Sequence, residues 1–208
     1  MDTLKPIIAS IIDVVCFDGN GYTEEWKKEA KRRGLDVEIS VPEMIKTFTR
    51  PESVDMFLKT GVYTEKELEA RNEVKWEIYS KKVQIEAKAM TRMAINHIIP
   101  AALEYKAKLL KEVALSKEVF GDIRANSTEI AIIGDLTSLV TEVAAKAEAM
   151  KAASEKAEAI GNEYSKAVAF HKIADSLYDI RKPIDRLEEL VDNKTWPLPK
   201  YRELLFIS

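Results

Sequence analysis

TEKELEARNEVKWEIYSKKVQIEAKAMTRMAINHIIPAALEYKAKLLKEVAL, residues 64–115, reads as one helical pattern. Thr64 stands where its hydroxyl can accept from the first free amides of a helix. Glu67, three residues on, can reach back to the Thr64 amide, which makes a capping box. Leu68, Ile78, Tyr79, Val83, Met90, Met93, Ala94 and Ile98 then follow at helical spacing, so they share a face. Glu67 with Arg71, and Glu77 with Lys81, stand four apart on other faces, where opposite charges support a helix. At ~1.5 Å per residue the part before Pro100 alone spans on the order of 50 Å. One small neighbour cannot cover a stripe of that length, so further helices must lie along it and the fold class is all-α. Pro100 removes one backbone donor, yet Ala101, Ala102, Leu103, Tyr105, Leu109 and Leu110 carry the pattern on, which predicts a kink and not a break.

On the C-terminal side, Gly121 to Asn126 reads as a turn, and Ser127 or Thr128 starts another long helix. Its seam is Ile130, Ile133, Leu136, Leu139, Val140, Val143, Ala147 and Met150. A last long helix over roughly 162–192 places Tyr164, Val168, His171, Ala174, Leu177, Tyr178, Ile184, Leu187 and Val191 inward, with a second kink at Pro183. On the N-terminal side the elements are short. Thr23 caps a helix through Trp26 and Ala30 that stops at Gly34, and Pro42 and Pro51 each open a first helical turn, the second helix closing at Gly61. Asp18 to Gly21 is a tight turn of residues that tolerate positive φ. Residues 3–17 are apolar on more than one face and suit a buried helix ending in a short strand; periodicity does not separate the two. The expected architecture is an antiparallel bundle of three long helices with a docked C-terminal tail, residues 63–208. A small helical lobe, residues 1–62, joins it in one structural unit.

Composition limits the function classes. The 32 basic and 35 acidic residues nearly cancel, so no basic excess points to nucleic acid. The apolar run from Pro6 to Phe17 contains Asp13 and is too short for a membrane span of ~20 residues, and Asp2 occupies the region a secretory leader would make basic. A single cysteine, Cys16, makes no internal disulfide and fits a reducing, cytoplasmic setting.

The candidate chemistry is thin. Asp18, Asn20 and Glu29 fall at the first, third and twelfth positions of a calcium loop, but Tyr22 and Thr23 occupy the fifth and sixth, and the sixth must be glycine. A di-iron bundle needs a glutamate three residues before a histidine; Ala94 precedes His97 and Val168 precedes His171, so both read as packed or surface histidines. Glu86 lies close to the apolar stripe and is expected to be partly buried beside a cation or amide. Cys16 sits in an apolar run that blunts a thiol, and Met90, Met93 and Met150 read as core fillers. No catalytic, cofactor-binding or metal-ligating residue is therefore assigned. The candidate interaction residues are Trp26 and the tail Trp196, Pro197, Pro199, Tyr201, Leu204, Leu205 and Phe206, an apolar segment that must dock on its own bundle or on a partner, the bundle being preferred.

Several stretches resemble type III glutamine synthetases beyond their catalytic domain. They are Phe17-Asp18-Gly19-Asn20-Gly21-Tyr22-Thr23-Glu24-Glu25-Trp26 with Arg32-Arg33-Gly34; Thr60 to Glu65 with Glu67, Leu68, Ala70 and Arg71; Met90, Met93, Ala94 and Ile99-Pro100-Ala101; and the ending from Trp196 to Phe206. The resemblance implies a C-terminal helical region of a ring-forming enzyme that condenses glutamate with ammonia using ATP and magnesium or manganese. The catalytic motifs of that family lie upstream of anything matched here. It further implies that this chain alone is non-catalytic, carries no cofactor, packs on the catalytic domain of its own synthetase and supports a homo-oligomer. The contrasting expectation is a free-standing helical adaptor binding a partner in trans. An adaptor should cover its apolar ends within its own fold, whereas a domain of a larger enzyme should expose them.

Overall fold

The computed structural model describes residues 4–205. Its elements in order are α1 (Leu4–Val15), α2 (Glu24–Arg32), α3 (Val41–Lys46), α4 (Pro51–Thr60), α5 (Glu65–Met93), α6 (Ile99–Phe120), α7 (Ser127–Glu158), α8 (Glu163–Leu190) and α9 (Tyr201–Leu204), with no strand among the described residues. A π-helical turn, Ala94–Ile98, joins α5 to α6 into one 56-residue helix. The fold is the expected all-α bundle of three long helices.

The capping box at Thr64 forms as expected: its hydroxyl accepts from the Glu67 amide at 3.3 Å, and the Glu67 carboxylate accepts from the Thr64 amide at 2.8 Å. Glu67 is thereby occupied, and Arg71 instead lays its guanidinium 4.6 Å from the Tyr63 ring centre.

Both prolines lie within continuous helix, and each is accommodated differently. Before Pro100 the helix widens to the π turn, in which the Ile99 amide reaches the Ala94 carbonyl five residues back. Pro183 is buried inside α8, and its ring nitrogen cannot donate to the Asp179 carbonyl four residues earlier. Lys146 of α7 fills that vacancy, its Nζ donating to the Asp179 carbonyl at 3.0 Å.

The core runs along the interface of α5–α6, α7 and α8. Val83, Ala87, Ala94, Ile98, Ala102 and Leu109 from the first helix meet Leu136, Val143, Ala147 and Met150 of α7 and Phe170, Ile173, Ile180 and Leu187 of α8. Five seam positions are corrected: Ile78, Leu103, Leu110, Ile130 and Tyr178 are exposed, at 50%, 41%, 48%, 40% and 74%. Each lies at the edge of its stripe, where one turn of phase decides between core and water. Glu86 is exposed as well, one residue short of the buried Ala87. Met93 is 37% exposed and so only partly a core filler, whereas Met150 is buried as one.

The N-terminal lobe is tied to the bundle by polar contacts. The Trp76 indole donates to the Pro42 carbonyl at 3.0 Å, and buried Asn72 donates to the Ile45 carbonyl at 3.0 Å. Tyr164 of α8 donates to the Glu43 carboxylate, with the Lys46 ammonium 4.6 Å from its ring centre. That hydrogen bond, with partial burial, raises the Tyr164 phenol above its ordinary value. His171 is half-buried, 2.7 Å from the Tyr79 hydroxyl, and His97 is exposed, as expected of structural histidines.

The turn at 18–21 differs from expectation. The described residues with positive φ are Gly34, Gly61 and Gly121, each just past a helix end, and none lies in the turn. A Cβ at position 19 would sit 2.6 Å from Cζ of Phe17, so a larger residue there would push the tip of that ring aside.

Candidate functional site

Trp26 and the tail occupy separate parts of the molecule, and each organises its own surface. Trp26 enters α2 under the Thr23 cap, whose hydroxyl accepts from the Trp26 amide at 3.2 Å. Its ring stacks on Phe17 with centroids 4.0 Å apart and planes 20° apart. Arg33 lies over the indole at 5.5 Å and donates from Nη1 to the Cys16 carbonyl at 2.9 Å, so the end of α1 is anchored to the end of α2. Glu29 holds Arg32 and Arg33 at 2.6 and 2.7 Å, and those two guanidiniums bring its carboxyl down to about 2. This is the glutamate that would have closed a calcium loop; it is spent on two arginines.

The sign of its pH dependence follows. A carboxylate with a folded pKa below its unfolded one contributes stability above pH ~4.5 that is lost as pH falls towards 2. Acidification across that window is expected to release Arg33 from Glu29 and move the Trp26 indole proton resonance. In Glu29→Gln the movement should be absent, and an unchanged titration in that variant would exclude the carboxylate as its source.

Beyond this anchor, α1 is the main departure from the sequence expectation. Leu4, Ile7, Ile8, Ile11, Ile12 and Val15 are exposed at 60%, 54%, 52%, 46%, 43% and 51%. The segment is a helix to Val15 with no strand after it, and it is not buried. Lys5, Ser10 and Asp13 fall on one side of the helix and the large apolar residues on the other, and the described residues leave that apolar side largely uncovered. Cys16, beside it, is also exposed.

The tail does dock, in part. After α8 the Trp196 and Thr195 amides donate to the Asp192 carbonyl, each at 2.9 Å, and the Asp192 carboxylate accepts from the Lys194 amide at 3.0 Å. Lys108 of α6 pairs with Asp192 at 3.7 Å. These bonds turn Trp196 into the core, where it is 6% exposed. Lys200 folds back to close the C-terminus of α8, donating to the Glu188 and Val191 carbonyls at 2.5 and 2.7 Å. Leu198, Pro199 and Leu204 border a groove of about 200 Å³ with Met90, Met93 and Ile184. Pro197 is exposed, Tyr201 opens α9, and Leu204 and Leu205 are 53% and 78% exposed. Phe206 lies outside the described residues.

Among the described residues no group of three or more His, Cys, Asp or Glu side chains is placed to hold a metal ion, and no helix is long and apolar enough to cross a membrane. The functional features missed from sequence are the exposure of α1 and the bridging roles of Arg33 and Lys200. The first had a signal: the broad apolar face of this run demands a cover, and nothing in the sequence said the cover lies within this chain.

Residues 2–117 match the sequence model of the glutamine synthetase C-terminal domain. The chain belongs to that family. Its glutamine synthetase C-terminal domain relatives extend over almost all of it. A glutamine synthetase of Bacteroides fragilis (strain YCH46) is 38% identical over 206 residues, covering 96% of this chain and 28% of that protein. A type-3 glutamine synthetase of Dictyostelium discoideum is 28% identical over 200 residues, 93% of this chain and 27% of that protein. A glutamine synthetase of Butyrivibrio fibrisolvens is 32% identical over 201 residues, 92% of this chain and 27% of that protein. The chain thus spans little more than a quarter of the length of these relatives.

Proposed function

We propose that this chain is the non-catalytic helical domain of a type III glutamine synthetase, and that it packs on the catalytic domain and supports assembly of the oligomer. The observation that carries the reading is α1, whose large apolar side chains Leu4, Ile7, Ile8, Ile11, Ile12 and Val15 are 43% to 60% exposed. Burying the apolar face of such a helix in an interface contributes roughly 25 cal/mol for each Å² of apolar surface taken out of water. The occupant is the catalytic part of the same enzyme, because relatives matched along this chain are over three times its length. A self-contained adaptor would have covered α1 within its own fold. The ATP, divalent metal and glutamate chemistry belongs, on this reading, to the catalytic part, in the cytoplasm.

The test is to mix the purified chain with the separately expressed remainder of the Bacteroides fragilis relative and follow sedimentation. Co-sedimentation is expected, and it should be lost in the double variant Ile8→Glu, Ile12→Glu, while the melting temperature of the isolated chain stays within about 1 °C of the parent because both sites are exposed. Co-sedimentation that survives the double variant would remove α1 from the interface. Glutamine formation by the isolated chain above a buffer blank would overturn the non-catalytic reading.

A further inference from the structure

The outer side of α6 has no cover. Leu103, Leu110, Leu115 and Val119 are 41%, 48%, 60% and 64% exposed, and Ala107 and Ala114 among them are exposed as well. The inner side is apolar too, with Ala102 and Leu109 buried in the bundle core. A helix that is apolar on both sides is ordinarily enclosed, and α6 is enclosed on one. The N-terminal lobe is tied to the bundle at Trp76, about 60 Å along the same helix from Leu115, and leaves this face open.

The charges on the face point to its occupant. Lys111 and Glu118 share one line of the helix with Ala107 and Ala114, and all four are exposed. Neither Lys111 nor Glu118 makes an ion pair or a side-chain hydrogen bond among the described residues. The charged residue one turn away is in each case of the same sign, Lys108 beside Lys111 and Asp122 beside Glu118, so α6 supplies neither with a counterion. A second copy of the helix supplies both. Laid antiparallel with the two-fold axis between Ala114 and Leu115, α6 sets Lys111 level with Glu118 of the other copy, and its own Glu118 level with the other Lys111. The two Leu115 side chains meet beside the axis, and the small side chains of Ala107 and Ala114 let the helices approach. A parallel pairing in register would instead set lysine on lysine and glutamate on glutamate, so the charges select the antiparallel arrangement.

We propose that the outer face of α6 is an interface between two copies of this chain, paired antiparallel about a two-fold axis at Ala114 and Leu115. The inference rests for its setting on the assembly role proposed above, and it uses none of the residues of α1. The face exposes on the order of 600 Å² per copy, short of the ~800 Å² on each side of a standard interface, so the pairing is reversible in the micromolar range.

The experiment is sedimentation equilibrium of the isolated chain across micromolar concentrations, where a monomer–dimer equilibrium is expected. Leu110→Glu with Leu115→Glu should weaken dimerisation by about tenfold or more, with the melting temperature held within about 2 °C because both sites are exposed. Lys111→Glu alone should weaken it roughly fivefold by setting carboxylates opposite one another. Lys111→Glu combined with Glu118→Lys should restore it, a recovery that a general effect on folding or solubility does not produce. Ile8→Glu with Ile12→Glu should leave it unchanged. A chain that stays monomeric, a dimer that survives the leucine variants, or a charge exchange that restores nothing would overturn the proposal. A dimer lost only with the α1 variants would overturn it as well and assign self-association to α1. A monomeric chain whose leucine variants no longer co-sediment with the remainder of the synthetase would give this face to the catalytic part, overturning the pairing while the assembly role stands.

Discussion

Phe170→Ala is expected to destabilise the chain by about 3–5 kcal/mol. Phe170 is 1% exposed on α8 and is the largest fully buried side chain of the core, which α5, α6 and α7 complete. Its removal deletes the apolar surface of a whole ring and leaves a void that three long helices cannot close without shifting along their length. For a chain of this size the melting temperature should fall on the order of 10 °C. Denaturant unfolding should show the midpoint move with the slope preserved, which identifies lost stability and not a changed unfolded state. A loss under about 1 kcal/mol would mean that α8 is not seated on α5 and α7 at this position.

Trp196→Ala should cost about 3 kcal/mol, and Trp196→Phe much less. The indole is the anchor of the tail, packed into the bundle core, yet its Nε1 is buried without a hydrogen-bond partner. Alanine loses the packing. Phenylalanine keeps most of it and removes the unsatisfied donor, so part of the lost area is offset. Losing the anchor should also free Lys200 from the end of α8, which amide hydrogen exchange at Glu189 to Trp196 would report as faster opening. Equal losses in the two variants would show that the indole nitrogen is satisfied in solution.

The long helices were legible because their signals are local and mutually consistent. The Thr64 cap, the seam of α7 and the stop at Gly121 each depend on residues within a turn of one another. The prolines were legible as perturbations, but not in their remedies. Lys146 reaching the Asp179 carbonyl is a contact across 33 residues, and no local pattern announces it. Exposed Ile78 and Tyr178 failed for a related reason: a bundle of three helices covers only part of each stripe, and which part depends on how the neighbours cross. At α1 the composition was read correctly and the burial wrongly, because an apolar helix states a need for cover without naming its source.

The π turn at Ala94–Ile98 makes the reading frame of the helix a matter of angle as well as order. Each residue of an α-helix advances the face by ~100°, and a π turn takes up about one residue more than the regular spiral. Leu68, Val83, Ala87 and Ala94 before it and Ala102 and Leu109 after it share one buried side because that additional residue is present. A deletion of one codon within this stretch would restore a regular helix and at the same time swing everything from Ala101 to Phe120 about a quarter turn out of phase. Gene variants in which the segment changes length by one are therefore to be expected only alongside a rearranged partner face on α7, while single-residue replacements within it remain open to drift.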